Sequence, residues 1–126
     1  MMQPVHSDRA PAAVGPYSQA IVCGGMLYTS GQIALDPDSG NMVGEDVGTQ
    51  TRQVLKNLQA VLNAAGCTQQ NIVKATIYLT DMADFSEVNT IYAEWLGSHR
   101  PARSTVQVAA LPLQARVEID LVACLR

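Results

Sequence analysis

Charge is scarce in this chain of 126 residues: eight Lys and Arg and eleven Asp and Glu, 15% in all, leave a net charge of −3. The few cations are scattered, so there is no basic face, and a nucleic-acid partner is not expected. Histidine is scarcer still. His6 and His99 stand near no cysteine or second histidine at ligand spacing, which argues against a zinc site, and neither metal nor cofactor is expected. The three cysteines, Cys23, Cys67 and Cys124, are odd in number and far apart, as reduced thiols in a cytosol are and a disulfide scaffold is not. Cys124, set among Val122, Ala123 and Leu125, reads as a small buried apolar residue. No apolar run approaches the roughly 18 residues of a membrane span, and residues 1–9 lack the apolar segment of a signal peptide. Repeats, low-complexity tracts and linkers are absent, so one domain over 1–126 and a cytoplasmic location are expected.

What the chain does have is apolar periodicity, carried by 48% hydrophobic residues. Strand-like runs at 17–22 and 26–30 flank the hairpin signal Cys23-Gly24-Gly25. Asp46 is the candidate N-cap of a helix over 47–65, whose stripe of Val47, Val54, Leu55, Leu58, Val61 and Leu62 has helical spacing and ends at Gly66. Asn57 lies beside that stripe, where a buried amide needs partners. A half-covered strand follows at 72–80. Asp84 and Glu87 form a capping-box pattern that opens a second helix running to Gly97.

The last quarter alternates twice, as Arg103-Ser104-Thr105-Val106-Gln107-Val108 and as Arg116-Val117-Glu118-Ile119-Asp120-Leu121. Val106, Val108, Val117, Ile119 and Leu121 read as the apolar phase, with Arg103, Thr105, Gln107, Glu118 and Asp120 opposite. If the runs pair, a guanidinium and a carboxylate share one sheet face. The order ββ, helix, β, helix, ββ predicts an α+β fold with two helices on one face of a mixed sheet. The uncovered polar face, together with the shortage of charge, predicts an oligomer.

Several blocks carry a resemblance: Pro11-Ala12-Ala13-Val14-Gly15-Pro16-Tyr17-Ser18-Gln19-Ala20, Thr29-Ser30-Gly31-Gln32-Ile33, Asp81-Met82-Ala83-Asp84-Phe85 with Val88, Asn89 and Tyr92, Pro101-Ala102-Arg103-Ser104, and Val117-Glu118-Ile119. In this order they resemble the reactive intermediate deaminase family, also called the YjgF or L-PSP endoribonuclease family. The resemblance implies a chorismate-mutase-like single domain with a six-stranded mixed sheet. It also implies a homotrimer with ligand clefts between subunits. The implied reaction is hydrolysis of 2-imino acids, formed from 2-aminoacrylate and related enamines, to 2-keto acids and ammonia. The alternative is a regulatory module that binds small 2-keto acids without turnover.

Arg103 matches the family's substrate-binding arginine, and guanidinium suits a carboxylate; the plainer reading is a surface ion pair. Glu118 matches the position that would hold or activate water, although a glutamate with its ordinary pKa of about 4.3 is a weak base at neutral pH; the plainer reading is a pair with Arg103 or Arg116. Tyr17, Ser30 and Gly31 resemble ligand-contact positions, Gly31 because a bare backbone approaches a ligand closely, though a bulge or turn would equally use it. Thr105 stands where the family often has Cys, which removes any thiol role. Asn89 either lines the cleft or bonds a loop. Asp120 is read as structural. The stretch Leu111-Pro112-Leu113-Gln114 lacks a lysine frequent after Leu-Pro in the family.

Overall fold

The structure, a computed structural model, describes residues 1–125. Six strands and two helices follow one another as β1 (Met2–Val5), β2 (Ala20–Cys23), β3 (Met26–Thr29), α1 (Val47–Ala64), β4 (Ile72–Leu79), α2 (Phe85–Leu96), β5 (Ala102–Gln107) and β6 (Val117–Cys124). They form one α+β unit in which the strands make a single sheet of order β1-β2-β3-β6-β4-β5. β4 and β5 are parallel, joined through α2 as parallel neighbours require. The other neighbours are antiparallel. Among the described residues no helix is long and apolar enough to cross a membrane.

Both helices bury their apolar stripes on one face of the sheet. Val54, Leu58, Val61 and Leu62 of α1 and Val88, Ile91 and Leu96 of α2 join Ala75, Ile77 and Leu79 of β4 and Val117, Ile119 and Leu121 of β6 in one core. Each large side chain buried there stabilises the fold by about 1.5–3 kcal/mol before entropy is counted. The opposite face carries Tyr28, Lys74, Tyr78, Glu118 and Asp120 and is half-exposed or exposed.

Helix α1 begins as the sequence requires, with the Asp46 carboxylate accepting the Thr49 amide at 2.9 Å. The second helix does not. Asp84 has helical backbone angles and makes no capping hydrogen bond. A short 3₁₀ turn, Met82–Asp84, precedes α2 and is capped by Asp81, which accepts the Ala83 amide. With its own backbone already helical, Asp84 is not placed to accept the first-turn amides of α2, and it pairs instead with Arg116 at 3.0 Å.

β1 lies where the sequence showed only a polar terminus. It is an edge strand, which tolerates Pro4 because the missing amide can lie on the open side. Cys124 also differs from expectation: it is half-buried, on the same phase as Glu118, while Cys67 is the buried thiol.

The C-terminal runs do not pair, because β4 separates them. The register then fixes the faces. Glu118 lies opposite Tyr78 and Asp120 opposite Thr76, both on the open face. Arg103, Thr105 and Gln107 lie opposite Ala75, Ile77 and Leu79, on the helix-bearing face. Val106 stands on the open face and is 40% exposed. On β5 the expected apolar and polar phases are therefore exchanged. The physical reason is that β5 is an edge strand beside α2, where long polar side chains reach solvent around the helix, so neither face demands an apolar phase.

Candidate active site

Two separate clefts hold the expected site residues. The first, of about 420 Å³, contains Tyr17, Ser30, Gly31 and Glu118. The second, of about 430 Å³, contains Asn89 and Arg103. Thr105 shares Arg103's face but lines neither cleft. A groove of about 600 Å³ between α1 and α2, with Arg52, Lys56 and Trp95, contains none of these residues.

An irregularity in the sheet builds the Glu118 cleft. β3 pairs with β6 up to Tyr28↔Val122, and the pairing resumes with Gln32 opposite Ile119. Four steps on one side thus match three on the other, a bulge of one residue in the stretch 29–31. The Leu121 amide, freed from the ladder, is taken by the Thr29 hydroxyl at 2.9 Å. Beyond the bulge, Gln32 exchanges backbone hydrogen bonds with Ile119 at 2.9 and 3.1 Å. Gly31 is thereby pressed against Glu118. A Cβ added at Gly31 would overlap the Glu118 carboxylate, standing 2.7 Å from its Cδ. Only glycine lets that carboxylate lie along the main chain.

Buried amides hold the cleft walls. The Asn57 side chain, fully buried, donates to the carbonyls of Ile33 and Leu35 at 3.3 and 3.0 Å and accepts from Gln53 at 2.9 Å. Gln19 donates to the Pro11 carbonyl at 2.8 Å and accepts the Ser7 amide at 2.7 Å. Ser30 is tied twice, its amide to the Gln19 carbonyl and its hydroxyl to the Ser18 carbonyl at 2.6 Å. Both of its donors are thus committed to fixing the segment. Tyr17 is 53% exposed at the cleft's edge.

Burial pushes the Glu118 carboxyl above the usual carboxylate range, and the neighbouring Asp120 charge adds to the effect. Asp120 in turn accepts a hydrogen bond from the Tyr78 hydroxyl at 3.0 Å. A half-buried glutamate with a raised pKa is better matched to proton transfer near neutrality than an ordinary one. The alternation around Glu118 is visible in the sequence; its desolvation depends on the bulge and is not.

In the second cleft, Arg103 is fixed without a carboxylate. Its guanidinium lies 5.4 Å from the Phe85 ring centroid and 5.5 Å from that of Tyr92, at cation–π range. It donates to Asn89 Oδ1. Among the described residues no acidic group lies within ion-pair distance of it, so neither Glu118 nor another carboxylate neutralises it. The Tyr92 hydroxyl in this cleft and the Thr105 hydroxyl on the same sheet face as Arg103 are buried without a hydrogen-bond partner, and burial raises the Tyr92 pKa. Phe85 and Tyr92 stand in the sequence among the blocks that carry the family resemblance, with no role attached; their grip on Arg103 follows from β5 lying beside α2.

The family model described as Endoribonuclease L-PSP matches residues 7–125. The chain belongs to that family. It is 50% identical over 121 residues to Reactive Intermediate Deaminase A, chloroplastic, of Arabidopsis thaliana, which covers 96% of this chain and 65% of that protein, so the chain spans just under two thirds of that relative's length. It is 47% identical over 119 residues to the 2-iminobutanoate/2-iminopropanoate deaminase of Homo sapiens, covering 94% of this chain and 87% of that one. The crystal structure of E. coli TdcF with bound serine matches with a TM-score of 0.91 at 38% identity, covering 97% of this chain and 98% of that chain. Two chemistries are thus named among L-PSP proteins, RNA cleavage in the family description and imine deamination in the relatives. His6 is exposed and bonded to Asp8, and His99 is bonded to the Ile72 carbonyl. Neither lines the clefts of Glu118 or Arg103.

Proposed function

We infer that this protein hydrolyses 2-imino acids to 2-keto acids and ammonia. The observation that carries this reading is the Glu118 carboxyl, desolvated and packed against the Gly31 main chain in an otherwise largely apolar cleft. Deaminase names among relatives at 47–50% identity support it. So does the serine bound by E. coli TdcF, because serine carries the same α-carboxylate as a 2-imino acid.

The net reaction is R–C(=NH)–COO⁻ + H₂O → R–C(=O)–COO⁻ + NH₃. Glu118 takes a proton from water as the oxygen bonds to C2 and the C=N π pair moves to nitrogen. The proton then passes to that nitrogen, giving the amino alcohol; a second transfer through Glu118 carries the hydroxyl proton to the amino group, the C–N bond breaks, and ammonia leaves as the C–O⁻ becomes the ketone. Because the imine carbon is already electrophilic, positioning of water supplies most of what the reaction requires. Arg103 holds the substrate carboxylate, with Asn89 fixing the guanidinium and Thr105 offering a hydroxyl nearby. Tyr17 orients water or the imine nitrogen, and Ser30 and Gly31 supply the wall beside C2.

Arg103 and Glu118 lie on opposite faces of one sheet, so the complete site is read as forming between chains. Arg103 of one protomer meets Glu118 of its neighbour in a homotrimer, whose contacts cover the exposed Tyr28 and Val106 of the open face. The reading is tested by adding the protein to a pyridoxal-phosphate dehydratase acting on serine or threonine. Keto-acid release is expected to accelerate with wild type and to return to the spontaneous rate with Arg103→Ala. A folded wild-type oligomer that fails to accelerate release overturns it. Glu118→Gln separates the enzyme from a binding module, since the variant should retain keto-acid binding while losing turnover.

A further inference from the structure

The turn at 112–115 adopts a geometry that its residues resist. Leu113 lies at φ 56° and ψ 29° and Gln114 at φ 60°, and the Ala115 amide donates to the Pro112 carbonyl at 3.1 Å. These are the features of a type I′ turn, which normally uses Asn-Gly or Gly-Gly. The same chain makes its β2–β3 hairpin with Gly24 at φ 61° and Gly25 at φ 76°. Among the described residues, Leu113 and Gln114 are the non-glycine residues with positive φ. The flank of the turn is anchored: Ala115 is buried, and the Arg116 amide donates to the buried Gln50 side chain at 2.9 Å while its guanidinium pairs with Asp84. The turn therefore cannot relax by sliding.

This strained geometry holds Leu113, 68% exposed, at the edge of the Glu118 cleft. The wall it continues is apolar and includes Ala12, Val14, Ile33, Leu35 and Pro112. In a 2-imino acid, C2 carries the nitrogen, the carboxylate and the side chain. With C2 beside Glu118 and the carboxylate drawn to Arg103, the side chain is the substituent left for the apolar wall. A single methyl group touches little of this wall of apolar residues, and each further buried methylene strengthens binding.

We propose that Leu113, held over the cleft by this turn, selects for 2-imino acids with large apolar side chains, such as those derived from leucine or phenylalanine. The proposal rests on the deaminase reading above. Its test uses the assembled protein with imines generated from leucine and from alanine by an L-amino-acid oxidase, comparing kcat/KM for the two. Wild type is expected to favour the leucine-derived imine, and Leu113→Asn to lower that preference roughly tenfold. Asparagine tolerates the left-handed region, so the variant should melt at or above the wild-type Tm. Gln114→Gly, which eases the turn but keeps the leucine, should retain the preference. An unchanged preference in Leu113→Asn overturns the proposal, as does a lowered preference accompanied by a lowered Tm, which would assign Leu113 to folding. Failure of wild type to accelerate hydrolysis of either imine instead overturns the deaminase reading itself.

Discussion

Arg103 and Glu118 occupy opposite faces of one sheet: the arginine is in register with Ala75 on the helix-bearing side, the glutamate with Tyr78 on the open side. No rotamer change brings them together within one chain. Two inactive variants, Arg103→Ala and Glu118→Gln, should therefore rescue one another when co-expressed. A cleft that draws its arginine and its glutamate independently from an equal mixture is intact in roughly a quarter of cases, as expected for a heterologous ring interface. The equal mixture as a whole is expected to recover about that share of wild-type activity, measured as keto-acid release. Rescue absent from verified mixed oligomers would place both groups in one chain's site or remove one of them from it.

Gly31→Ala should separate activity from folding. The added Cβ overlaps the Glu118 carboxylate, a flexible group at the edge of a cleft, so the carboxylate swings aside while the core is untouched. A displacement on the order of 1 Å at a reacting group costs as much as about 100-fold in rate. The expected result is a fall in kcat of roughly that size with an unchanged circular dichroism spectrum. Full activity in the variant would detach Glu118 from the chemistry.

The raised pKa of Glu118 has consequences for activity and for stability. If the ionised carboxylate is the working form, kcat/KM declines on acidification at a higher pH than an ordinary glutamate would dictate. Asp120→Asn, which removes the second cause of the shift, should move that limb toward lower pH.

For stability the sign is opposite to that of most carboxylates. The folded chain holds the Glu118 proton to a higher pH than the unfolded chain does, so stability is lost as pH rises from the unfolded pKa through the folded one. Asp36 and Asp46, held below the ordinary range chiefly by the amides of Ser39 and Thr49, act in the reverse sense. The Glu118 contribution is isolated by comparing Tm of Glu118→Gln with wild type across pH. The variant's advantage should grow as pH rises through that window, and a constant difference would contradict the shift.

Asn57→Ala should cost about 2 kcal/mol, because it strands two carbonyls and a glutamine amide around a buried site. Since those carbonyls belong to Ile33 and Leu35, urea unfolding should show a lower midpoint and the variant should bind ligand more weakly. A stable variant with weakened binding would separate the wall from the core.

Much of this fold was legible because its signals are local. Asp46, the α1 stripe and Gly66 mark one helix, the Gly24-Gly25 turn marks a hairpin, and Asn57 announced a buried amide in search of partners. The alternation of β6 was also readable, since Val117, Ile119 and Leu121 cover a core and Glu118 and Asp120 cannot. β5 was not readable in the same way. Its face depends on which strand it joins, and the placement of β6 between β3 and β4 is a long-range fact that alternation does not contain. The pairing of β1 was hidden for a related reason, because an edge strand needs no apolar phase. Glu118's desolvation was hidden because it comes from a one-residue bulge on a strand nearly ninety residues away in sequence.

β5 ends the sheet order, so its outer rail of amide and carbonyl groups is that of an edge strand, with Val106 exposed beside it. Such an edge is a template for further strand pairing. The strand that presents Arg103 is thus also an open edge able to pair with a further strand. If that edge is covered in the proposed assembly, dilution below the dissociation constant should cause loss of activity and precipitation together, and storage at high protein concentration should prevent both.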